Sequence, residues 1–209
     1  MTVSPTTTLL NAVNRCLSVI AERPVTTLSG TLTADAQTAY DIVQEIDVEV
    51  QSRAWQFNTE RKLLTPSGNK IDVPANCVRL FVNRAEYPSL DITIRDDSGT
   101  MRLYDKVSNS FTITSSVYAT LVTLQEFEKT PEAYRRYVTI RAARTFCDRA
   151  VSDNARHVYT ERDEAEALKQ LQRYENNTGP RSLFDNYDAA RPILRRAPGI
   201  FPASPIEFG

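Results

Sequence analysis

Few residues of this 209-residue chain have types and spacings that could carry chemistry: a row of acids, a run of arginines, one histidine and three cysteines. Asp41, Glu45 and Glu49 recur every fourth residue, which stacks three carboxylates along one side of a helix. Such a row could hold a metal ion or supply acid and base groups. Paired-carboxylate hydrolysis needs two groups facing across a cleft, however, and no histidine accompanies these three. Like charges at this spacing cost a few tenths of a kcal/mol each, so the row reads as a solvated face or one that meets another subunit. Asp96 and Asp97 are too few oxygen ligands for a hard cation and fit the turn Asp96-Asp97-Ser98-Gly99 better. His157 is the only histidine; alone it excludes multi-histidine metal sites, and no nucleophile motif lies near it to build a triad. Cys16, Cys77 and Cys147 form no C-x-x-C pair, which argues against a zinc site or a disulfide framework and leaves them as small buried hydrophobes. Neither a metal nor a cofactor is implied.

The arginines Arg135, Arg136, Arg141, Arg144, Arg149 and Arg156 make the most basic stretch. They alternate with Glu132, Asp148 and Asp153, as on a solvated or subunit-facing helix rather than a nucleic-acid patch. The net charge of −1 gives no support to sequence-specific DNA binding. Apolar content is 41% and charged content 24%, as in ordinary globular domains. Apolar runs of about 20 residues, long enough to span a bilayer, are absent. Met1-Thr2-Val3-Ser4-Pro5 has neither the basic nor the apolar region of a signal peptide, so cytoplasmic synthesis and no membrane contact are expected.

Apolar spacing then supplies the elements. Leu9, Leu10, Val13, Cys16, Leu17 and Ile20 predict an amphipathic helix between Thr6 and Glu22, stopped by Pro24. Thr33 predicts the N-cap of a second helix with Asp35 in its first turn and Ala36, Ala39, Tyr40, Val43, Ile46 and Val50 on its apolar stripe. From Trp55 the period changes to that of strands. Turn signals at Thr65-Pro66-Ser67-Gly68-Asn69-Lys70 and at Asp96 to Gly99 predict two hairpins. With Val78 to Val82, Phe111 to Ile113 and Val117 to Leu124 they give about six short strands of a small sandwich or barrel. Thr130-Pro131-Glu132 predicts the start of a third helix, and Thr160-Glu161-Arg162-Asp163 a capping box opening a fourth.

The predicted fold class is therefore α+β: a bundle of about four helices, residues 1–54 and 129–178, with an antiparallel β domain inserted at residues 55–128. Trp55, Phe57 and Asn58 mark the seam, where both rings should lie on one side of an extended strand and clamp the two parts together. Residues 179–209 differ in kind. They hold Pro180, Pro192, Pro198, Pro202 and Pro205 among many large apolar groups, which predicts an extended arm that meets a partner, the alternative being an arm that packs back on its own domain.

Leu10-Asn11-Ala12-Val13-Asn14, Glu49-Val50-Gln51-Ser52, Trp55-Gln56-Phe57-Asn58-Thr59-Glu60, Leu103-Tyr104-Asp105 and Tyr137 to Arg144 together resemble the tail tubular protein A family of short-tailed phages. The resemblance covers most of residues 6 to 176, and the Trp-x-Phe-Asn-Thr-Glu stretch is its most specific part. It implies a head-to-tail adaptor assembled as a ring of twelve copies between the portal protein and the tail nozzle, tail tubular protein B. Tail fibres are a further partner, and genome DNA passes through without sequence-specific binding. On that reading the arm residues Leu183, Phe184, Tyr187, Ile193, Leu194, Ile200 and Phe201 hold the portal. The turn residues Ser67, Gly68, Asn69, Pro88, Ser98 and Gly99 meet the nozzle or fibres, and Asp41, Glu45 and Glu49 face Arg141 and Arg144 of the next copy. The alternative from another class is a glycan-cleaving or glycan-binding tail component. It would act through carboxylates in a cleft of the β domain, or through Trp55 as a stacking platform.

Overall fold

The computed structural model describes residues 7–150 and 154–178, with side chains in the second segment from residue 161 onward. Four helices enclose the larger apolar core. They are α1 (Leu9–Val19), α2 (Ala34–Gln51), α3 (Glu132–Ala150) and α4 (Asn154–Thr178). Between α2 and α3 come β1 (Thr59–Leu64), β2 (Cys77–Val82), β3 (Ile92–Asp97), β4 (Thr100–Asp105) and β5 (Val117–Thr123). The architecture is α+β, as the change of hydrophobic period predicts.

Side chains from all four helices meet in the helical core, among them Val13 and Leu17 of α1, Val43 and Val50 of α2, Tyr134, Val138 and Phe146 of α3, and Leu171 of α4. Helix ends follow their local chemistry. The Thr8 and Thr33 hydroxyls accept from the Asn11 and Ala36 amides, as N-caps should. The start of α1 is also held from far along the chain: the Leu9 amide donates to the Glu128 carboxylate at 3.2 Å and the Thr7 amide to Glu132 at 2.9 Å. Carboxylates there complement the positive end of the helix dipole. α1 ends at Val19, before Pro24, because Ala21 adopts φ 61° and the Glu22 amide turns back to the Leu17 carbonyl at 3.1 Å. This is a Schellman-type stop with alanine in the position that glycine prefers.

β5, last of the strands in sequence, lies at the centre of a three-stranded antiparallel sheet ordered β1-β5-β2. Val117, Ala119 and Leu121 point into a second apolar cluster with Leu64, Ile71, Val73, Leu103 and Ile113. β3 and β4 form a separate hairpin, its register running from Ile92↔Asp105 to Asp97↔Thr100. Ser98 at φ 57° and Gly99 at φ 87° close it, the left-handed pair of a type I′ turn.

Several expectations are corrected. Gln56–Asn58 is a turn of 3₁₀ helix, so Trp55 and Phe57 do not share one side of an extended strand. The first predicted hairpin does not form as such. β1 pairs with β5, while Ile71 and Val73 lie along β4 through Leu103 N–H to Ile71 O at 3.0 Å and Val73 N–H to Met101 O at 2.9 Å. Among the described residues five strands form instead of about six, because the Phe111 to Ile113 segment joins no ladder: the bridge pairs Asp105 with Ser110 just before it, and the Ile113 amide donates to Asn69 O at 2.8 Å. The Thr130 hydroxyl donates to the Phe127 carbonyl rather than capping α3, and α4 runs through Thr160 to Asp163 without a capping box. His157 accordingly sits within α4 rather than at a helix end.

Replacing Ala21 by glycine relieves the left-handed Cβ and should raise stability by about 0.5–1 kcal/mol after the larger entropy of the unfolded chain is counted. Urea denaturation of the two proteins measures it.

Candidate functional site

The two passages of the chain between helices and strands, at residues 51–58 and 123–130, are joined by one buried amide. Gln51, the last residue of α2, is 0% exposed. Its Nε2 donates to the Gln125 carbonyl at 2.8 Å and its Oε1 accepts from the Gln125 amide at 2.7 Å, so the side chain pairs with backbone as a neighbouring strand would. The same Nε2 lies 3.2 Å from Asp47 Oδ2. The Tyr134 hydroxyl donates toward Asp47 Oδ1 at 2.8 Å and the Asp47 carbonyl at 2.9 Å, which brings α3 into the network.

Trp55, Phe57 and Asn58 complete this junction. The Asn58 amide nitrogen donates to the Gln51 carbonyl at 2.8 Å, and its Oδ1 accepts from the Trp55 backbone at 2.9 Å. Trp55 Nε1 donates to the Val50 carbonyl at 2.7 Å, closing the end of α2. Phe57 packs edge-on to Tyr134 with ring centroids 5.0 Å apart, and the Gln56 amide donates to Glu175 of α4 at 2.6 Å. Both aromatic rings are half-buried against the helical core, whereas Asn58 is fully enclosed. Trp55 is thus occupied at its polar atom and on one face, which disfavours a free stacking platform.

Burial pushes the Asp47 carboxyl above its ordinary value against the pull of the Tyr134 and Gln51 hydrogen bonds, with Glu128 adding to the rise. Burial and the Asp47 charge push the Tyr134 phenol up as well. Asp105 behaves oppositely: the Ser108 hydroxyl and the Asp91, Val107 and Ser108 amides hold it down at about 2 although the residue is enclosed. It organises the turn after β4.

The turn residues fall into two groups. Ser67 and Lys70 exchange backbone bonds of 2.8 and 3.1 Å around Gly68 and Asn69, a second left-handed turn, and Lys70 Nζ reaches Asp97 at 2.6 Å. The Gly68 and Ser98-Gly99 turns are therefore tied together, with Arg102 bridging Asp97 and Asp72 beneath them. Pro88 lies elsewhere, next to Tyr87, whose hydroxyl accepts from the Tyr118 amide at 3.0 Å.

The acidic and basic helix faces meet within one chain. Arg141 Nη2 donates to both Glu49 carboxylate oxygens at 2.7 Å, Arg149 reaches Glu45 at 3.2 Å, and Arg144 is engaged by Glu164 and Asp148. Asp41 accepts only from Gln37 and has no cationic partner among the described residues. The charge complementarity expected between copies is thus largely met inside each one, because α3 packs along α2. The arm residues Leu183, Phe184, Tyr187, Ile193, Leu194, Ile200 and Phe201 lie outside the described residues. Among the described residues no cluster of histidine, cysteine and carboxylate groups could hold a metal, and no helix is long and apolar enough to cross a membrane.

The family model for the tail tubular protein matches residues 10–181. The chain belongs to that family. This tail tubular protein is a structural component of the virion tail of short-tailed phages, and its family is structural rather than enzymatic. No curated protein matches the chain. The match takes in the whole junction and stops just before Leu183. Sequence reasoning found Trp55, Phe57 and Asn58, and placed Tyr134 on the buried face of its helix, but missed Asp47 and Gln125 and the hydrogen-bonding roles of Gln51 and Tyr134. A glutamine at a helix end carries no signal that its amide will pair with backbone 74 residues away.

Replacing Gln51 by alanine leaves the Gln125 N–H and C=O without their partner and should cost about 3–5 kcal/mol, at about 1–3 kcal/mol per buried polar group. Urea denaturation followed by tryptophan fluorescence reads this at the junction itself. The two carboxyls predict opposite pH slopes. Asp105, with its lowered value, contributes stability above the ordinary 3.8 that is lost as pH falls toward about 2, so Asp105→Asn should be less stable at neutral pH and flatter in that window. Asp47, with its raised value, contributes stability below 3.8 that is lost as pH rises through its folded value, so Asp47→Asn should remove a decline above pH 3.8. Thermal melts across pH 2 to 7 test both.

Proposed function

We propose that this tail tubular protein is the head-to-tail adaptor: copies form a closed ring that joins the portal to the tail nozzle and lets DNA pass during ejection. The observation that carries this reading is the family match across residues 10–181, which covers both helical stretches and all five strands. Ring closure uses one surface against a different one on the next copy, related by rotation. The helical part, residues 1–54 and 129–178, supplies the body of the ring, and residues 55–128 form the inserted domain that faces the next tail component. Asp41, beside the Glu45 and Glu49 row, is the carboxylate left available to an arginine of another copy.

The tied turns at Ser67, Gly68, Asn69, Ser98 and Gly99 meet the nozzle or fibres. They are exposed, sharply defined and braced by Lys70, Asp97 and Arg102, which suits a contact loop on a rigid support. Pro88 belongs to a different surface and meets them only if the partner spans both. The arm holds the portal through Leu183, Phe184, Tyr187, Ile193, Leu194, Ile200 and Phe201. Ring copies so placed surround DNA without reading its bases, consistent with a near-neutral chain.

The test is sedimentation with portal rings. The full chain should co-sediment with them as a closed ring visible by electron microscopy. A chain ending at Asn177 should still fold cooperatively and fail to co-sediment. Normal portal binding by the shortened chain would remove the arm from this role, and failure of the full chain to bind portal would remove the adaptor reading.

A further inference from the structure

The outer face of the three-stranded sheet is apolar and aromatic, and it is exposed toward its Tyr118 end. Along β5 the outward positions are Tyr118 and Thr120, since the alternate residues fill the core; Val122 lies on the same side but is buried. Leu63 lies opposite Tyr118, and Phe81 opposite Thr120. Leu63, Tyr118 and Phe81 are 43%, 46% and 44% exposed, three of the largest apolar exposures among the described residues gathered on one surface. Two arginines cap the rings: Arg61 stacks over Tyr118 at 5.0 Å and Arg79 over Phe81 at 4.8 Å. Arg61 is balanced by Glu86, while Arg79 donates to the Ser52 carbonyl at 3.1 Å and has no carboxylate partner among the described residues.

β5 leads from this face directly into a groove of about 380 Å³ floored by Val48, Leu124 and Phe127. Three carboxylates, Asp47, Glu126 and Glu128, line it, and no cationic side chain does; Lys129, which pairs with Glu126 at 2.9 Å, stands outside the lining. The two surfaces lie on either side of the buried Val122 and Thr123 and make a strip of two parts, aromatic and basic at one end, apolar and acidic at the other.

One segment of the chain carries the complement in order. Leu183-Phe184-Asp185-Asn186-Tyr187-Asp188 is aromatic and acidic, and Ile193-Leu194-Arg195-Arg196 is apolar and basic. α4 ends at Thr178 beside the junction, where Glu175 holds the Gln56 amide at 2.6 Å, so only residues 179–182 need to bridge to the strip. At about 3.3 Å per extended residue, residues 184–195 reach roughly 36 Å, enough for β5 and the groove beyond it.

We propose that residues 183–196 lie along this strip of their own subunit, with Asp185 and Asp188 at Arg79 and with Arg195 and Arg196 at the acidic groove. Docking within the subunit stands apart from the adaptor reading. What rests on that reading is the consequence: the arm is held against its own sheet until the portal takes it, so the strip and the portal compete for the same residues.

The test uses the full chain carrying Tyr118→Cys and the rate of its reaction with N-ethylmaleimide, a neutral probe. Adding Asp185→Arg and Asp188→Arg should speed labelling at position 118 by about tenfold or more, the change that loss of roughly 1.4 kcal/mol of docking gives. A Val107→Cys reporter, away from the strip, should react equally in both backgrounds. Arg79→Asp added to the reversed arm should restore slow labelling. Leu63→Cys provides a second reporter should Tyr118→Cys fail to fold. Equal rates with and without the reversed charges overturn the proposal, and so does labelling that accelerates on dilution, which places the segment on another copy. Portal co-sedimentation is read separately, so failure of docking and failure of the adaptor reading give different results.

Discussion

A buried side-chain amide that pairs with backbone constrains more of this molecule than any apolar contact does. The chain leaves the helical body after Gln51 and returns near Gln125, and those two points must coincide for α3 to reach its place against α1 and α2. Gln51 fixes them by supplying donor and acceptor to the same peptide group. Burying an amide without partners would cost several kcal/mol, so the arrangement exists only when both passages are correctly placed. It stabilises one geometry and penalises every other. Asp47 and Tyr134 extend the requirement to α3, and Asn58 extends it to the first turn of the inserted strands.

This explains why the polar cluster lies where the two apolar cores approach. Apolar packing is tolerant of small rotations, because any close fit excludes water. Directed hydrogen bonds are not. The orientation of the strands relative to the helices is therefore set by Gln51, Asn58 and the Trp55 indole rather than by either core. The half-buried rings of Trp55 and Phe57 cover the cluster and keep water from competing for it.

Much of the fold was legible in the residues. The four helices, the Thr33 cap, the type I′ turn at Ser98-Gly99 and the α+β class follow from spacing and local chemistry, which act over a few residues. Strand partnership was not, because β1 has no local signal that its neighbour is β5, 53 or more residues on, rather than the segment after the next turn. The Trp55 to Asn58 stretch misled for a related reason: its alternation is that of a strand, yet Asn58 bonds back to Gln51 and winds it into 3₁₀ helix. The acidic row and the arginines were found as faces, but periodicity says only which side of a helix a charge occupies. That α2 and α3 lie side by side, so that Glu49 meets Arg141, is a tertiary fact.

The position of β5 has a consequence in time. It is the middle strand of its sheet and the last strand made, so β1 and β2 have no partner until residue 123 has been synthesised, and α1 and α2 lack α3 until about residue 150. Neither core can close progressively as the chain emerges from the ribosome. Most of the protein must be held unfolded and then fold nearly at once, through contacts between distant parts of the sequence, which makes folding slow relative to a local helical bundle and exposes β1 and β2 to mispairing meanwhile. The charged run Glu60-Arg61-Lys62 on the strand that waits longest is well suited to that interval, since charges on an unpaired edge discourage its capture by another chain.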